Sequence, residues 1–398
     1  MESSKKKIKT GVKIFIMIFF VLVICVGSYV TYKVLNKEEK PAQNTENNIS
    51  VEKEEQNKKM ETEASLIMVG DALIHGAVYY DAKINAKYNG YDFKPMLENI
   101  KPIIMEYDLA YYNQETILGG TSLGLSHYPR FNSPYEVGDA FIDAGFNLVS
   151  LATNHTMDRG EQAVINSNNY WKKHEDTVMT AGSYNSYNEK EMIQIREVNG
   201  ISYAFFSYTM WTNGLSSPHG KDYLWDLYSY EKAKHDIEKV RDQVDVVMVA
   251  MHWGVEYSNG ISDIQRQTAS DLSNLGVDII IGAHPHVVEP IEMINNTLVI
   301  YSLGNFISAQ ETVNKLTGLM ASVTIKKVVE NGISTISLEN IKAELIYTYF
   351  NKNSSTGFKV YPYRQLNDKL LPGYRNYYEQ FMDIVVGNNN QITPIGLE

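Results

Sequence analysis

Two stretches of the sequence, Val244–Gly254 (VDVVMVAMHWG) and Asp278–His286 (DIIIGAHPH), decide the fold class. In each, a short apolar run leads directly into histidine, and both faces of the run are largely apolar, as buried parallel strands require. Between them, Ile264–Leu275 has the spacing of an amphipathic helix, and Gly276 is a typical residue to end it. This order of strand, helix and strand predicts an α/β fold.

The same pattern extends in both directions along the chain. Further strands are predicted at Ser65–Val69, Leu109–Tyr112, Asn147–Leu151, Ile201–Tyr208 and Leu298–Leu303. Two more helices are predicted: Tyr230–Gln243, and one with Ser133 as its N-cap and Glu136 completing a capping box. Beyond Leu319, alternating apolar residues on either side of Asn331-Gly332 predict a β-hairpin that closes the sheet.

The N-terminal part of the chain has a different composition. Residues 14–32 contain no charged residue and are long enough to cross a bilayer as a helix, and five lysines precede them. The lysine bias predicts a cytoplasmic N-terminus and a single pass through the cell membrane, with the main domain outside the cytoplasm. A cleaved signal peptide is the alternative, but its apolar region is usually shorter, about 7 to 15 residues. The predicted divisions are a basic tail (1–13), a transmembrane helix (14–32), a charged stalk (33–63), a main domain (64–348) and a tail or small appendage (349–398).

Composition limits both the means of stabilisation and the classes of partner. The single cysteine, Cys25, lies within the apolar segment, so the exported part cannot form disulfides and needs a conventional core. Residues 1–13 hold five lysines and Glu2, a net charge of +4, so of the total of −11 the rest of the chain carries −15. Such an acidic balance argues against nucleic acid as a partner.

Polar residues capable of binding metal follow most of the predicted strands. In open α/β sheets the ligand site lies outside the carboxyl ends of the strands, so we expect these residues to converge. Oxygen and imidazole ligands without cysteine suit Mg²⁺, Mn²⁺, Zn²⁺ or Fe, as one ion or a pair of ions. The predicted metal ligands are Asp71, His75, Glu115, Asn154, His252, His284 and His286. His155 and Asp158 are predicted to be an acid/base group and the carboxylate that orients it.

Each of these residues also has a purely structural interpretation. Asp71 could cap a helix, Asn154 could occupy a left-handed turn, and His75 could be a structural histidine one turn after a strand. His284 and His286 resist this interpretation better, because two imidazoles around one proline cannot both be buried cheaply without partners. The shared position of the motifs at strand ends favours the functional interpretation.

Taken in order, the motifs resemble those of the bacterial CapA (PgsA) family of capsule or poly-γ-glutamate synthesis proteins. Over about residues 64 to 310 they are Gly70-Asp71, Asn113-Gln114-Glu115, Asn154-His155-x-x-Asp158-x-Gly160, His252-Trp253-Gly254, Gly282-Ala283-His284-Pro285-His286 and Ser302-Leu303-Gly304-Asn305-Phe306. That family resembles calcineurin-like metallophosphoesterases, which implies a four-layer α/β/β/α sandwich behind the N-terminal transmembrane helix.

The resemblance also implies roles for individual residues. It divides most of the metal ligands into two sets, which are Asp71 and His286 for one ion, and Asn154, His252 and His284 for the other. Glu115 stands where the phosphoesterases use a bridging aspartate, and His75 takes the part of a histidine close to the first aspartate. Asn113 and Asn305 are the expected substrate-binding residues.

Two functions from different classes are implied by this resemblance. The first is a membrane-anchored, metal-dependent hydrolase or transferase that acts on poly-γ-glutamate or another anionic capsule polymer. The second is a catalytically silent subunit that binds the polymer in the same cleft and guides it out of a membrane synthase. Both functions imply other synthase subunits as partners.

Overall fold

The predicted apolar runs form the inner strands of two β-sheets in the computed structural model, which describes residues 59–397. The strands are β1 Met60–Ala72, β2 Leu109–Asn113, β3 Leu148–Ser150, β4 Met179–Ala181, β5 Ile195–Val198, β6 Ile201–Thr209, β7 Val246–His252, β8 Ile279–Ala283, β9 Ile291–Ile294, β10 Thr297–Ile300, β11 Asn305–Ile307, β12 Thr317–Glu330, β13 Ile333–Asn351, β14 Thr356–Pro362 and β15 Thr393–Pro394. The α-helices are α1 Gly76–Asn85, α2 Lys94–Leu97, α3 Lys101–Ile104, α4 Glu136–Asp143, α5 Gly160–Lys172, α6 Tyr187–Glu191, α7 Tyr230–Glu238, α8 Asp263–Asn274, α9 Val313–Leu316 and α10 Tyr374–Val385.

The first sheet combines a parallel half with an antiparallel half. Its order is β14-β13-β12-β1-β2-β3-β4, with β11 beside β1 and β15 beside β13. Strands β1 to β4 run parallel, whereas β12 is antiparallel to both β1 and β13. The second sheet has the order β5-β6-β7-β8-β10-β9, in which the four central strands are parallel and the two edge strands are antiparallel.

Side-chain alternation along the strands shows how the layers pack. Tyr111 of β2 contacts Phe205 of the second sheet with ring centroids 6.0 Å apart, whereas Tyr112 contacts Phe141 of α4 at 4.1 Å. On β7, Met248 belongs to the core shared by the two sheets, and its neighbours along the strand pack in a separate core with α7 and α8. The layers are therefore helix, sheet, sheet and helix, with the sheets face to face.

The predicted hairpin and the helix before His284 are both present. Glu330 pairs with Ile333 across a two-residue turn in which Asn331 and Gly332 have φ angles of +55° and +77°. Positive φ at both positions is what favours Asn-Gly in this type of turn. Helix α8 is also stabilised by a capping box at Ser262 that the sequence interpretation had not included.

Two other helix predictions need correction. Ser133 does not cap a helix, because its buried hydroxyl lies 2.9 Å from the Thr116 hydroxyl, and α4 begins at Glu136 with Tyr135 as N-cap. The helix predicted at Tyr230–Gln243 ends at Glu238, and the chain then forms a separate 3₁₀ turn at residues 241–243.

Residues 349–397 pack in the same core as the main domain. Strand β13 continues to Asn351, β14 pairs with it, and Phe358 and Phe381 join the core shared by the sheets. The division predicted at residue 348 is therefore not seen, because a strand crosses it and the apolar residues beyond it are buried against the sheet. Strand β1 likewise begins at Met60, inside the segment predicted to be stalk (33–63).

The remaining N-terminal predictions lie outside the described residues. They are the basic tail (1–13), the transmembrane helix (14–32) and most of the stalk. Within residues 59–397, no helix combines the length and the apolar character needed to cross a bilayer.

Candidate metal centre

The carboxyl end of β1 lies between β2 and β11, and this places the first polar residues of the site side by side. Asp71 of β1 pairs in register with Asn113 of β2 and with Asn305 of β11. A Cβ atom on Gly70 would lie 1.8 Å from the carbonyl oxygen of Gly304, so only glycine permits this approach. The glycine before Asp71 therefore allows the carboxylate to reach its position.

Asp71, His286 and Asn305 form the first cluster of polar atoms. Asp71 Oδ2 and Asn305 Oδ1 each lie 3.1 Å from Nδ1 of His286. The other Asp71 oxygen accepts a hydrogen bond of 2.8 Å from the Asn113 amide, and the Asn113 oxygen accepts one of 2.6 Å from Ser150. All of these side chains are buried, so they fix the orientations of one another.

Asn154 and His252 form the second cluster. Asn154 Oδ1 lies 3.0 Å from Nε2 of His252, and the amide nitrogen of Asn113 lies 3.4 Å from Nδ1 of His252. Asn113 therefore contacts both clusters. Asn113 and Asn305 were predicted to bind substrate, and in the structure their amides hold candidate ligands in place.

Glu115 lies between the two clusters. Its Oε2 atom is 3.6 Å from Nδ1 of His286, and its Oε1 atom is 3.8 Å from Nε2 of His252. Both oxygens are buried, and within residues 59–397 neither accepts a hydrogen bond. Burial, followed by the negative charge of Asp71, raises the pKa of the Glu115 carboxyl well above its usual value. An added cation would relieve this costly environment.

His284 and His286 flank Pro285 in a turn with unusual backbone angles. Their φ angles are +99° and +60°, a region that residues other than glycine rarely adopt and that is enriched at functional sites. Nδ1 of His284 is buried without a hydrogen-bond partner in the described part of the chain, and its ring contacts His252 at 4.8 Å. Burial, followed by the neighbouring imidazoles, lowers the pKa of His252 and His284 well below the usual value. Both rings are therefore neutral, which is the form that binds metal.

The donor set fits a divalent metal. Tetrahedral bonds of about 2.0–2.2 Å separate neighbouring ligand atoms by roughly 3.3–3.6 Å. The corresponding contacts within the clusters and to Glu115 range from 3.0 to 3.8 Å. Three donor atoms also lie within 4.8 Å of one another, one from each of Glu115, His284 and His286. Because the two oxygens of Glu115 face different clusters, donors are available on both sides of this residue.

His155 and Asp158 form a hydrogen-bonded pair at the same centre. Asp158 Oδ2 accepts hydrogen bonds of 2.7 Å from Nδ1 of His155 and of 2.7 Å from the backbone N–H of Phe131. Because a carboxylate can only accept, Nδ1 of His155 carries the proton and Nε2 is left to exchange one. The ring of Phe131 contacts His155 at 4.7 Å and His75 at 5.4 Å, which places the pair beside the residues that follow β1.

His75 lies near the centre, but its Nδ1 atom is within hydrogen-bond distance of backbone atoms. Nδ1 is 3.1 Å from the carbonyl oxygen of Leu73 and 3.3 Å from the backbone nitrogen of Ala309. Burial is the main reason that its pKa is lowered to about 4. Only Nε2 is left for the predicted role as a metal ligand.

Several residues at the centre carried no signal in the sequence. Trp211 contacts the ring of His284 at 4.9 Å, and Asn213 accepts a hydrogen bond of 3.3 Å from the Asn154 amide. Both follow β6, whose carboxyl end has no metal-capable residue to attract attention. Tyr257, which contacts the His-Pro-His turn, lies in the loop after β7. The conformation of the loops brings all three residues to the centre, and a pattern of residues at strand ends does not predict loop conformation.

Two known proteins are similar to this chain in sequence. The PGA biosynthesis protein CapA of Bacillus subtilis (strain 168) is 30% identical over 237 residues, which are 55% of this chain and 60% of that protein. The capsule biosynthesis protein CapA of Bacillus anthracis is 30% identical over 184 residues, which are 44% of this chain and 43% of that protein. The similar region therefore spans less than two-thirds of either relative.

Solved structures with some likeness are more distant. The NAD nucleotidase NadN of Haemophilus influenzae has a TM-score of 0.41 and 13% identity, over 85% of this chain and 65% of that chain. A 5'-nucleotidase precursor from Thermus thermophilus has a TM-score of 0.40 and 12% identity, over 71% of this chain and 54% of that chain. Likeness at this level supports no conclusion about activity.

One protein family covers the whole candidate centre. The family described as bacterial capsule synthesis protein PGA_cap matches residues 65–310, well over half of the chain. The matched range includes every candidate site residue from Asp71 to Asn305. The chain therefore belongs to the bacterial capsule synthesis protein PGA_cap family.

Proposed function

We propose that this chain is a membrane-anchored, extracytoplasmic component of capsule or poly-γ-glutamate synthesis and export, and that it acts on the polymer as a metal-dependent hydrolase or transferase. Family membership and the names of the two CapA relatives support a role in capsule or poly-γ-glutamate synthesis. The observation that supports a chemical role is the buried carboxyl of Glu115, which lies between two clusters of metal-capable side chains and has no lysine or arginine partner among the residues described. A surface that only held polymer would not need this costly arrangement.

The residues that would hold the metal are those of the two clusters and the residues beside them. They are Asp71 and His286 on one side, Asn154 and His252 on the other, Glu115 between them, and His284. A divalent ion bound there would act as a Lewis acid on the carbonyl or phosphoryl oxygen of the substrate. Asn113 and Asn305 keep the donor atoms oriented.

His155 would handle the proton in this reaction. Asp158 holds the Nδ1 proton, and the Phe131 N–H fixes Asp158 in turn. Nε2 can therefore give a proton to the leaving amine of a γ-glutamyl amide or to the leaving oxygen of a phosphoester. The charged imidazole would also stabilise negative charge that develops on the substrate.

His155→Ala tests this proposal. Turnover of poly-γ-glutamate by the full-length protein with Mn²⁺ should fall by about 10²- to 10⁴-fold, because a positioned acid/base group contributes that much. Surface polymer in cells complemented at matched protein level should fall with it, while bound metal and melting temperature stay near wild type. His235→Ala, at an exposed position on α7, is the matched control and should behave like wild type. Normal polymer yield from His155→Ala would instead favour the catalytically silent, polymer-binding subunit.

The membrane part of the proposal is supported by the apolar segment 14–32 and the lysines before it. Protease added to intact protoplasts should digest the domain beyond residue 33 and leave a cytoplasmic control protein whole. If the domain survives together with the control protein, the extracytoplasmic assignment is wrong.

A further inference from the structure

A lysine beside the candidate metal centre forms no ion pair within residues 59–397. The ammonium of this lysine, Lys315, lies 3.5 Å from the ring centroid of Tyr257. Acidic residues outnumber lysine and arginine by 47 to 36 in this chain, so carboxylates are plentiful. A half-buried lysine held on an aromatic ring instead is available to an external anion.

Tyr257 and Asn305, two residues that contact Lys315, also contact the His-Pro-His turn. The backbone N–H of Tyr257 donates to the carbonyl oxygen of Pro285 at 2.8 Å, and the Tyr257 ring lies 5.9 Å from that of His286. On the other side, the carbonyl oxygen of Lys315 accepts a hydrogen bond of 2.8 Å from the amide of Asn305. The position of the ammonium is therefore set relative to the candidate ligands.

The Tyr257 backbone supports a specific role for its ring. Its φ angle is +67°, a conformation that costs free energy for a residue with a side chain. A neutral aromatic face holds an ammonium without cancelling its charge, whereas a carboxylate partner would.

We propose that Lys315, held by Tyr257, is a subsite that binds a free carboxylate of the polymer next to the bond placed at the metal centre. This inference rests on the proposed function, because it takes an anionic polymer as the substrate. A γ-linked glutamate chain carries one free carboxylate on each residue, so a chain bound at the centre brings carboxylates of neighbouring residues close to it. Because the ring already restrains the lysine, less side-chain freedom is lost on binding.

Lys315→Gln removes the charge and keeps a polar side chain. For a γ-linked glutamate oligomer, the Kd of the full-length, Mn²⁺-loaded protein should rise by about three- to tenfold. For the same oligomer with its free carboxylates converted to carboxamides, the Kd should not change. Lys315→Arg should keep most of the preference for the acidic oligomer, whereas Tyr257→Leu should lose a similar part of it.

The control is Lys342→Gln, which changes another lysine without an ion pair in the described chain, on the exposed face of β13. It should leave both Kd values unchanged. If Lys315→Gln keeps the full preference for the acidic oligomer while the wild type binds it and turns it over with metal, the subsite is wrong and the proposed function stands. If the wild type does not bind the oligomer, both are wrong. Bound metal should be equal in all variants, and a loss of metal in Lys315→Gln would also count against the subsite.

Discussion

Two buried carboxyl groups in this protein have opposite surroundings. Asp226 is paired with ammonium groups, since its Oδ1 atom lies 2.9 Å from Lys190 Nζ and 3.2 Å from Lys232 Nζ. Glu115 is just as buried, but in the described part of the chain no lysine or arginine pairs with it, and its oxygens lie 3.6 Å from His286 and 3.8 Å from His252. The first group is compensated by the protein itself, whereas the second has no lysine or arginine partner and would be compensated by an added cation.

The difference separates a structural charge from a candidate functional one. Asp226 joins α6 and α7 through Lys190 and Lys232, so its ion pairs hold secondary-structure elements together. Glu115 joins no helices and lies where strand ends converge with a turn of unusual backbone angles. Burial of a charge is therefore informative only together with the identity of its partners.

The largest expected effect comes from removing one imidazole of each cluster at Glu115. In the double variant His252→Ala/His286→Ala, affinity for Mn²⁺ or Zn²⁺ should fall at least about 100-fold, because each cluster loses a donor. Metal content after equilibrium dialysis measures this loss. The circular dichroism spectrum should stay that of the folded protein, since His252 ends β7, His286 lies in the turn after β8, and both are outside the main apolar cores. Unchanged metal content would contradict the assignment.

The paired carboxylate provides the control for that experiment. Asp226→Asn leaves Lys190 without its partner, so the free energy of unfolding should fall by about 3 kcal/mol. Its metal content should remain that of wild type. If Asp226→Asn lost metal without losing stability, Asp226 would not be a structural charge and would no longer differ from Glu115.

Sequence reasoning predicted the part of this site that is encoded locally. Asp71 lies at the carboxyl end of β1 and the His-Pro-His turn follows β8, so the apolar runs before them were enough to predict that both lie at strand ends. The hairpin turn at Asn331-Gly332 was predicted for the same reason, since two adjacent residues define it.

The features that were missed depend on contacts between distant segments. Ser133 has a good local capping pattern, but a hydrogen bond to Thr116, 17 residues away, uses its hydroxyl. Trp211 and Asn213 reach the centre through a loop whose conformation no short pattern specifies. The unpartnered state of Glu115 was equally hidden, because a sequence does not show which cations are absent from its surroundings.

A smaller effect is expected at a third buried carboxyl group, Glu289. One of its oxygens accepts a hydrogen bond of 2.6 Å from Gln265, and burial raises its pKa to about 8. Between about pH 4.3 and 8 the folded protein therefore keeps a proton that the unfolded chain has lost, so the free energy of unfolding falls as the pH rises through this range. Glu289→Gln removes this dependence.

Urea unfolding at pH 5 and pH 9 tests the prediction for Glu289. The stability of Glu289→Gln relative to wild type should be on the order of 2–4 kcal/mol higher at pH 9 than at pH 5. An equal difference at the two pH values would show that Glu289 is ionised in the folded protein, as a carboxyl group with a cationic partner would be.

Thermal unfolding of Glu115→Gln, with and without Mn²⁺, tests the central claim most directly. In EDTA this variant should be at least as stable as wild type, because a neutral amide replaces the uncompensated carboxyl. Saturating Mn²⁺ should raise the melting temperature of wild type and of Asp226→Asn by about 4 °C, since an ion at 100 times its Kd adds about 2.7 kcal/mol. The melting temperature of Glu115→Gln should rise by far less. An equal rise in Glu115→Gln and wild type would contradict the claim that Glu115 completes a metal centre.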